Sequence, residues 1–238
     1  MHQLKSAESA GEKNKNCFPQ MTQIDAEKES AESAGEKKPK LMTNQTAFDL
    51  LLEKLTARGF QPETQISERR FIVPARDKLL NTKYIIAQNE KFFFCAYDSY
   101  GTSSYTSRTF TGLYAVIDLP AETSCHIYKK YQTDIFRKQK RKSGIKYIDE
   151  QLTITSATSW MPSRLLNLKD VNLFIELNSR ISPLKLSFQF DGLPIINALK
   201  DKTIISIETD FWLYQDYELD SLLNLGGQLI ENILNACV

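Results

Sequence analysis

The sequence predicts an α+β fold: a mainly antiparallel sheet, built from a β-meander and a hairpin, packed with an N-terminal, a middle and a C-terminal helix. Residues 92–131 alternate aromatic and β-branched runs with Asp, Ser, Gly and Pro, which is typical of strands joined by turns. A second block of strands, residues 184–207, follows a helical region instead of alternating with helices. Strands grouped in blocks with segregated helices indicate the α+β class.

The first periodic segment predicts a helix over residues 47–58. Its apolar stripe comprises Phe48, Leu51, Leu52 and Leu55. Threonine and asparagine directly before it can cap the helix, and Gly59 suits the left-handed residue that ends one. Short extended pieces are expected at residues 70–73 and 84–88, with Pro74 interrupting the run between them.

Alternation along the meander predicts which residues share a face of the sheet. In the strand 112–119, one face carries Leu113, Ala115, Ile117 and Leu119, and the other carries Tyr114, Val116 and Asp118. In the next strand Cys125 and Ile127 oppose His126 and Tyr128. Neighbouring Cys125 and His126 are therefore expected to point to opposite faces.

The second half of the chain predicts one or two helices within 161–178, capped by Ser159, and then a strand from Leu184 to Phe190. Asp191-Gly192 is expected to form a hairpin turn, with Pro194 limiting the strand after it to an edge or an irregular start, and residues 204–207 are expected to form another strand. A closing helix is predicted over 216–235. Gly226-Gly227 inside it would cost about 1 kcal/mol each relative to alanine, which indicates a kink or a close helix contact.

The first 42 residues differ from the rest. They contain AESAGEK twice, at residues 7–13 and 31–37, in a background of Glu, Lys, Ser, Asn and Gln. So little apolar surface cannot offset the entropy of ordering, so residues 1–42 are expected to be a disordered low-complexity tail. Residues 43–238 are expected to form a single α+β domain. Met1, Met21 and Met42 are each possible translation starts.

Composition argues against several classes of protein. The formal net charge is +1, which gives no whole-chain argument for nucleic acid or membrane, and no window has the roughly 18 apolar residues of a spanning helix. The N-terminus lacks the apolar run of a signal peptide. The cysteines, Cys17, Cys95, Cys125 and Cys237, are scattered, as expected of reduced thiols in a cytoplasmic protein.

Three segments resemble the bacterial domain of unknown function 3137 family. Residues 109–118, TFTGLYAVID, resemble the family's F-x-G-L-F-x-V-x-D strand, and residues 185–192, KLSFQFDG, resemble its strand-and-hairpin segment. The closing helix, with Leu222, Leu225, Ile230 and Leu234, lies where the family ends. The resemblance covers about residues 92–238 and implies an order of elements but no activity. Family members typically carry a pair of transmembrane helices upstream, which we do not find in this sequence.

Catalytic and metal chemistry find little support. Only His126 lies outside the tail, so a catalytic triad or Cys–His pair would depend on it, and Cys95 could reach it only in a favourable strand register. Clustered Cys and His ligands for zinc are lacking, and no phosphate-cradling glycine loop occurs. No catalytic residue, cofactor or metal is therefore assigned.

Two further groups could carry chemistry. An acidic cluster spans 208–220 and comprises Glu208, Asp210, Asp216, Glu218 and Asp220. It could bind a divalent cation or act in acid/base catalysis, or it could be a solvated connection whose acids favour a helix N-terminus. The hydroxyl-rich turn at 97–111 offers Tyr100, Tyr105 and Arg108 as a ligand loop, although an ordinary exposed hairpin has the same composition.

The strongest charged feature is a basic run at 129–146, expected to be a loop or helix tip. It comprises Lys129, Lys130, Arg137, Lys138, Lys140, Arg141, Lys142 and Lys146, opposed by Asp134 alone. Such a run can bind nucleic-acid phosphates, anionic lipid or an acidic protein face, including this chain's acidic C-terminal end, or it can simply be a solvated loop.

The sequence therefore predicts a cytoplasmic binding or interaction module that binds an anionic partner through the basic run. One alternative is a protein-interaction scaffold that uses the sheet and the C-terminal helix. The other is an enzyme or cation-binding protein that uses residues 208–220. A homo-oligomer is compatible with each reading but is not indicated.

Overall fold

The computed structural model describes residues 46–73, 76–101, 107–131, 134, 140–156 and 166–237, with the backbone alone at 70–79. The described strands form one antiparallel sheet in the order β1-β2-β3-β4-β9-β8-β5-β7-β6. Their bounds are β1 Glu63–Val73, β2 Arg76–Gln88, β3 Phe93–Gly101, β4 Arg108–Val116, β5 Ser124–Lys129, β6 Lys140–Arg141, β7 Leu152–Ser156, β8 Lys185–Phe190 and β9 Thr203–Thr209. The predicted α+β class with a mainly antiparallel sheet is confirmed.

The helices lie before, between and after these strands. They are α1 Ala47–Ala57, α2 Lys146–Gln151, α3 Leu168–Arg180, α4 Asp216–Ser221 and α5 Gly227–Asn235, with a π-helical turn at Leu222–Gly226 joining α4 to α5. Thr46 caps α1 in a reciprocal capping box with Asp49, and Gly59 follows the helix at φ +84°. The N-terminal, middle and C-terminal helices are thus where the periodicity predicted them.

One face of the sheet is covered by α1, α3, α4 and α5. The main core joins their apolar stripes to every second residue of the strands, for example Leu113 and Ala115 of β4 and Ile127 of β5. We call this the helix face. The predicted alternation holds, because Tyr114 belongs to a smaller core on the opposite face.

The opposite face, which we call the second face, is covered in part by the connection between β8 and β9, residues 191–202. Leu193, Ile196 and Leu199 of this connection pack against Phe110 and Tyr114. β8 and β9 pair as antiparallel neighbours, but the strand expected directly after Asp191-Gly192 is replaced by this longer connection. Burying three apolar side chains in a longer excursion stabilises the fold more than a tight turn would.

Other differences concern strand length and helix starts. β1 and β2 are much longer than the extended pieces predicted at residues 70–73 and 84–88. Their many charged residues interrupt the hydrophobic alternation that indicates a strand, and backbone pairing holds the hairpin together. α3 begins after the Asn167 cap, and the predicted cap Ser159 lies outside the described residues, as does the low-complexity tail. The described residues between 46 and 237 belong to one compact unit.

Candidate functional site

The described part of the basic run folds around a cleft at one edge of the sheet. After β5 the chain reaches β6, which is the last strand of the sheet and pairs with β7 through Lys140 opposite Thr155 and Arg141 opposite Ile154. A short loop and α2 then lead directly back into β7. The run was expected to be a loop or helix tip, but it contributes a two-residue edge strand as well.

Four cations line this cleft, which has a volume of about 270 Å³. They are Lys130, Lys140, Arg141 and Lys142, and the cleft floor is formed by Leu152, Thr153 and Ile154 of β7. We call this site the basic cleft. The Lys130 ammonium donates to the main-chain oxygen of Asp149 at 2.6 Å, which draws that side chain toward α2.

The acids near the basic cleft are engaged with hydrogen-bond donors. Asp149 is the one acid among the described lining residues, and its Oδ1 accepts bonds from the Ser143 amide and hydroxyl at 2.7 and 2.8 Å. Asp134 is buried and accepts bonds from the Thr153 hydroxyl and the Tyr131 amide. The exposed Lys140, Arg141 and Lys142 form no ion pair with a carboxylate of the described residues, so their charges face solvent.

The two other described residues of the basic run, Lys129 and Lys146, lie outside the basic cleft. Lys146 is 90% exposed and pairs with Glu150 at 3.8 Å, away from the residues that line the basic cleft. Lys129 at the end of β5 is half-buried and does not line it. Arg137 and Lys138 lie outside the described residues. Half of the predicted anion-binding residues are therefore brought together.

The predicted ligand loop belongs to the β3–β4 hairpin. Arg108 begins β4 opposite Ser99 of β3, and its guanidinium lies 4.6 Å from the centre of the Phe110 ring. Tyr100 is 54% exposed on β3, and Tyr105 lies outside the described residues. Arg108 lines a cavity on this face of the sheet.

The acidic residues at 208–220 are divided between two environments. Glu208 on β9 is 3% exposed and pairs with the Lys185 ammonium at 2.9 Å. Asp216 and Asp220 pair instead with α1, where the Arg58 side chain donates to both carboxylates at 2.9 and 2.7 Å. These donated hydrogen bonds from Lys54 and Arg58 hold the pKa of Asp216 below its usual value.

The acidic C-terminal end pairs with cations outside the basic run. Besides the pairs of Glu208, Asp216 and Asp220, the Glu231 carboxylate accepts from Lys91 at 2.7 Å. No ion pair joins the described residues of this end to those of the basic run. The basic cleft is therefore not neutralised by this acidic end within the described part of the chain.

Sequence reasoning missed the buried charge centre at Glu208. Lys185 and Glu208 are directly paired residues of β8 and β9, and Gly112 of β4 lies opposite Glu208 on the other side. A Cβ on Gly112 would lie 2.7 Å from the Ile207 main-chain oxygen and 3.0 Å from both Glu208 Cγ and the Tyr114 hydroxyl, so only glycine fits beside Glu208 here. Burial raises the pKa of Tyr114, with Glu208 adding to the effect. Only the strand register, which is non-local, reveals this centre.

His126 has no catalytic partner among the cysteines of the described chain. Its Nδ1 lies 2.9 Å from the Ser187 hydroxyl, and burial lowers the pKa of His126, with the Lys185 charge acting in the same direction. Cys125 faces away from it, as predicted, and burial raises the pKa of that thiol to about 12. Cys95 is on β3, separated from β5 by three strands, so the favourable register does not occur.

Two wider searches of the described residues gave negative results. They contain no group of three or more His, Cys, Asp and Glu side chains arranged to hold a metal ion. Among the same residues, no helix has the length and apolar character needed to cross a bilayer.

Comparisons with known proteins leave the family open. The resemblance to the domain of unknown function 3137 family therefore stays a prediction. No protein-family model, curated protein or solved structure matches the chain.

Proposed function

We propose that this protein is a binding module that holds an anionic partner in the basic cleft. The observation that carries the proposal is the convergence of four cations on one cleft whose single acid is already bonded to Ser143. Long cationic side chains clustered without carboxylate partners bind phosphate or carboxylate groups by charge-assisted hydrogen bonds.

The position of the basic cleft supports the same proposal. β6 ends the described sheet, so no described strand pairs with its outer side beside Lys140 and Arg141, and an edge of this kind can present backbone donors to a ligand. The Asp149–Ser143 bonds hold the loop after β6 against α2, which keeps three consecutive cations near one another. A partly preformed site loses less side-chain freedom when its ligand binds.

Salt dependence provides the test. Fluorescence anisotropy would measure binding of the full chain to a labelled single-stranded oligonucleotide, flotation would measure binding to vesicles containing phosphatidylserine, and titration with poly-glutamate would represent an acidic protein face. The arm that binds identifies the source of the anionic group. For an oligonucleotide, three lost phosphate contacts would reduce the log–log salt slope by about 2.

The decisive variant changes Lys140, Arg141 and Lys142 to Gln. Its matched control changes three exposed lysines outside the basic cleft, Lys169, Lys200 and Lys202, to Gln, which alters the net charge equally. We expect the cleft variant to lose at least about tenfold in affinity at low salt and the control to lose little. Equal losses in both variants, or no binding in any of the three arms, would contradict the proposal.

The alternative scaffold function needs a different surface from the one first expected. Leu229 of the C-terminal helix is fully buried in the main core, so the apolar stripe of this helix packs against the domain itself and does not face a partner. The exposed apolar residues near this helix are Tyr214 and Tyr217, at 42% and 63% exposure. A partner that is lost on changing both tyrosines to Ser, and kept by the cleft variant, would favour the scaffold.

A further inference from the structure

A second cavity lies on the second face, between the β3–β4 hairpin and the β8–β9 connection. Its volume is about 590 Å³, within the range of pockets that bind small molecules. Its apolar lining consists of Leu80, Tyr97, Phe110, Leu193, Pro194 and Ile195. We call it the Arg108 groove, because its remaining lining includes Arg108 together with Ser99, Ser107 and Gly192.

The aromatic wall of the Arg108 groove spans two strands. Tyr97 of β3 and Phe110 of β4 form a stacked row along it, with ring centres 5.0 Å apart and planes within 15°. Tyr84 of β2 stacks on Tyr97 at 6.4 Å and supports this row without lining the groove. Arg108 ends this row with its guanidinium over Phe110. The row supports a fixed apolar surface with a single charge at one end.

The charge of Arg108 is only partly compensated. Its guanidinium lies 4.0 Å from the Glu208 carboxylate, too far for a hydrogen bond, whereas Lys185 occupies the same carboxylate at 2.9 Å. Two cations therefore share one acid. The Arg108 side chain is 58% exposed and donates no hydrogen bond to a described residue, so its forked donors lie open to a ligand on the described side of the groove.

We propose that the Arg108 groove binds a small organic acid, with its apolar body between the aromatic row and Leu193–Ile195 and its carboxylate on Arg108. The planar guanidinium matches a carboxylate with two parallel hydrogen bonds. One surplus positive charge fits one acidic group, in contrast to the basic cleft with its four cations. This site is independent of the proposed anionic partner and extends beyond it.

The test uses 2-naphthoate and its neutral analogue 2-naphthamide as probes of the full chain. Backbone amide shifts in a ¹H–¹⁵N NMR titration would report the site and the Kd of each probe. We expect shifts at residues 107–110 and at Leu193 and Ile195, and tighter binding of the acid than of the amide. Arg108→Gln should weaken 2-naphthoate about tenfold and change 2-naphthamide by less than twofold.

Two further variants separate the explanations. Ile195→Asn should weaken both probes, because it removes apolar contact area without changing charge. Arg141→Gln, a matched arginine in the basic cleft, should change neither, and an unchanged melting temperature would show that each variant is folded. Equal affinities for acid and amide, equal loss in the Arg108 and Arg141 variants, or no shifts at millimolar probe would overturn the proposal. Polyanion binding to the basic cleft can fail while 2-naphthoate still binds the Arg108 groove. Equally, 2-naphthoate binding can fail while polyanion binding persists.

Discussion

Replacing Gly227 by Ala is expected to destabilise the domain, although alanine is the better helix former. A Cβ at this position would lie 2.7 Å from Cε1 of the Phe92 ring, closer than carbon atoms approach in folded proteins. Alanine gains about 1 kcal/mol of helix propensity, while overpacking a core costs about 1–3 kcal/mol. Phe92 is 6% exposed and packed in the main core, so it cannot move freely and the net loss should be about 1 kcal/mol.

Gly226→Ala is the matched control, because the neighbouring Cβ would meet only side-chain methyl groups. Its nearest atoms are the Leu113 and Leu222 Cδ1 atoms at 3.2 and 3.3 Å, which small rotations can relieve. We expect its free energy of unfolding in urea to be within about 0.5 kcal/mol of the parent. Phe92→Leu should also reduce the penalty of Gly227→Ala. A Gly227→Ala protein at least as stable as Gly226→Ala would refute the close-packing argument.

Three further predictions concern charged groups. Glu208→Gln should lower the free energy of unfolding in urea by about 2–3 kcal/mol, because it leaves the Lys185 ammonium charged and without its carboxylate partner. A loss below about 0.5 kcal/mol would contradict a stabilising role for this buried pair. Burial and the Lys185 charge lower the pKa of His126 in the fold, so the unfolded chain takes up this proton first as pH falls. Stability should therefore decline below about pH 6.5, and His126→Asn should flatten the pH 5–7 dependence of the melting temperature; identical slopes would exclude His126 as the cause. Arg58→Lys should cost about 0.5–1 kcal/mol at low salt and less at 1 M salt, since it loses the forked donors to Asp220 while keeping the charge; a salt-independent loss would indicate packing instead.

Local sequence patterns predicted where helices and strands lie better than they predicted which strands pair in the sheet. The cap and stripe of α1, the opposite facing of Cys125 and His126, and the close contact at the paired glycines of the C-terminal helix all follow from short-range chemistry. The β1–β2 hairpin was largely missed, because charges along both strands hide the alternation on which strand prediction depends.

Long-range pairing explains what remained hidden at the sites. The basic run is recognisable in the sequence as a cluster of Lys and Arg. Which of its residues line the basic cleft depends on the pairing of β6 with β7. Arg108 was predicted as a ligand residue because it lies in a hydroxyl-rich turn. That its charge is only partly compensated depends on the registers of β4, β8 and β9, which place Lys185 beside Glu208. No periodicity within one segment contains that information.

The central position of β9 has a consequence for how the chain folds during synthesis. β4 ends at residue 116, but its neighbour β9 begins only at residue 203, and β9 also completes the ladder of β8. The β1–β4 hairpins therefore emerge from the ribosome well before their inner edge can be covered. Such non-local closure slows folding and leaves an open strand edge exposed to aggregation in the interval. Shortening the chain before residue 203 would leave that edge open permanently, with two half-sheets in place of one.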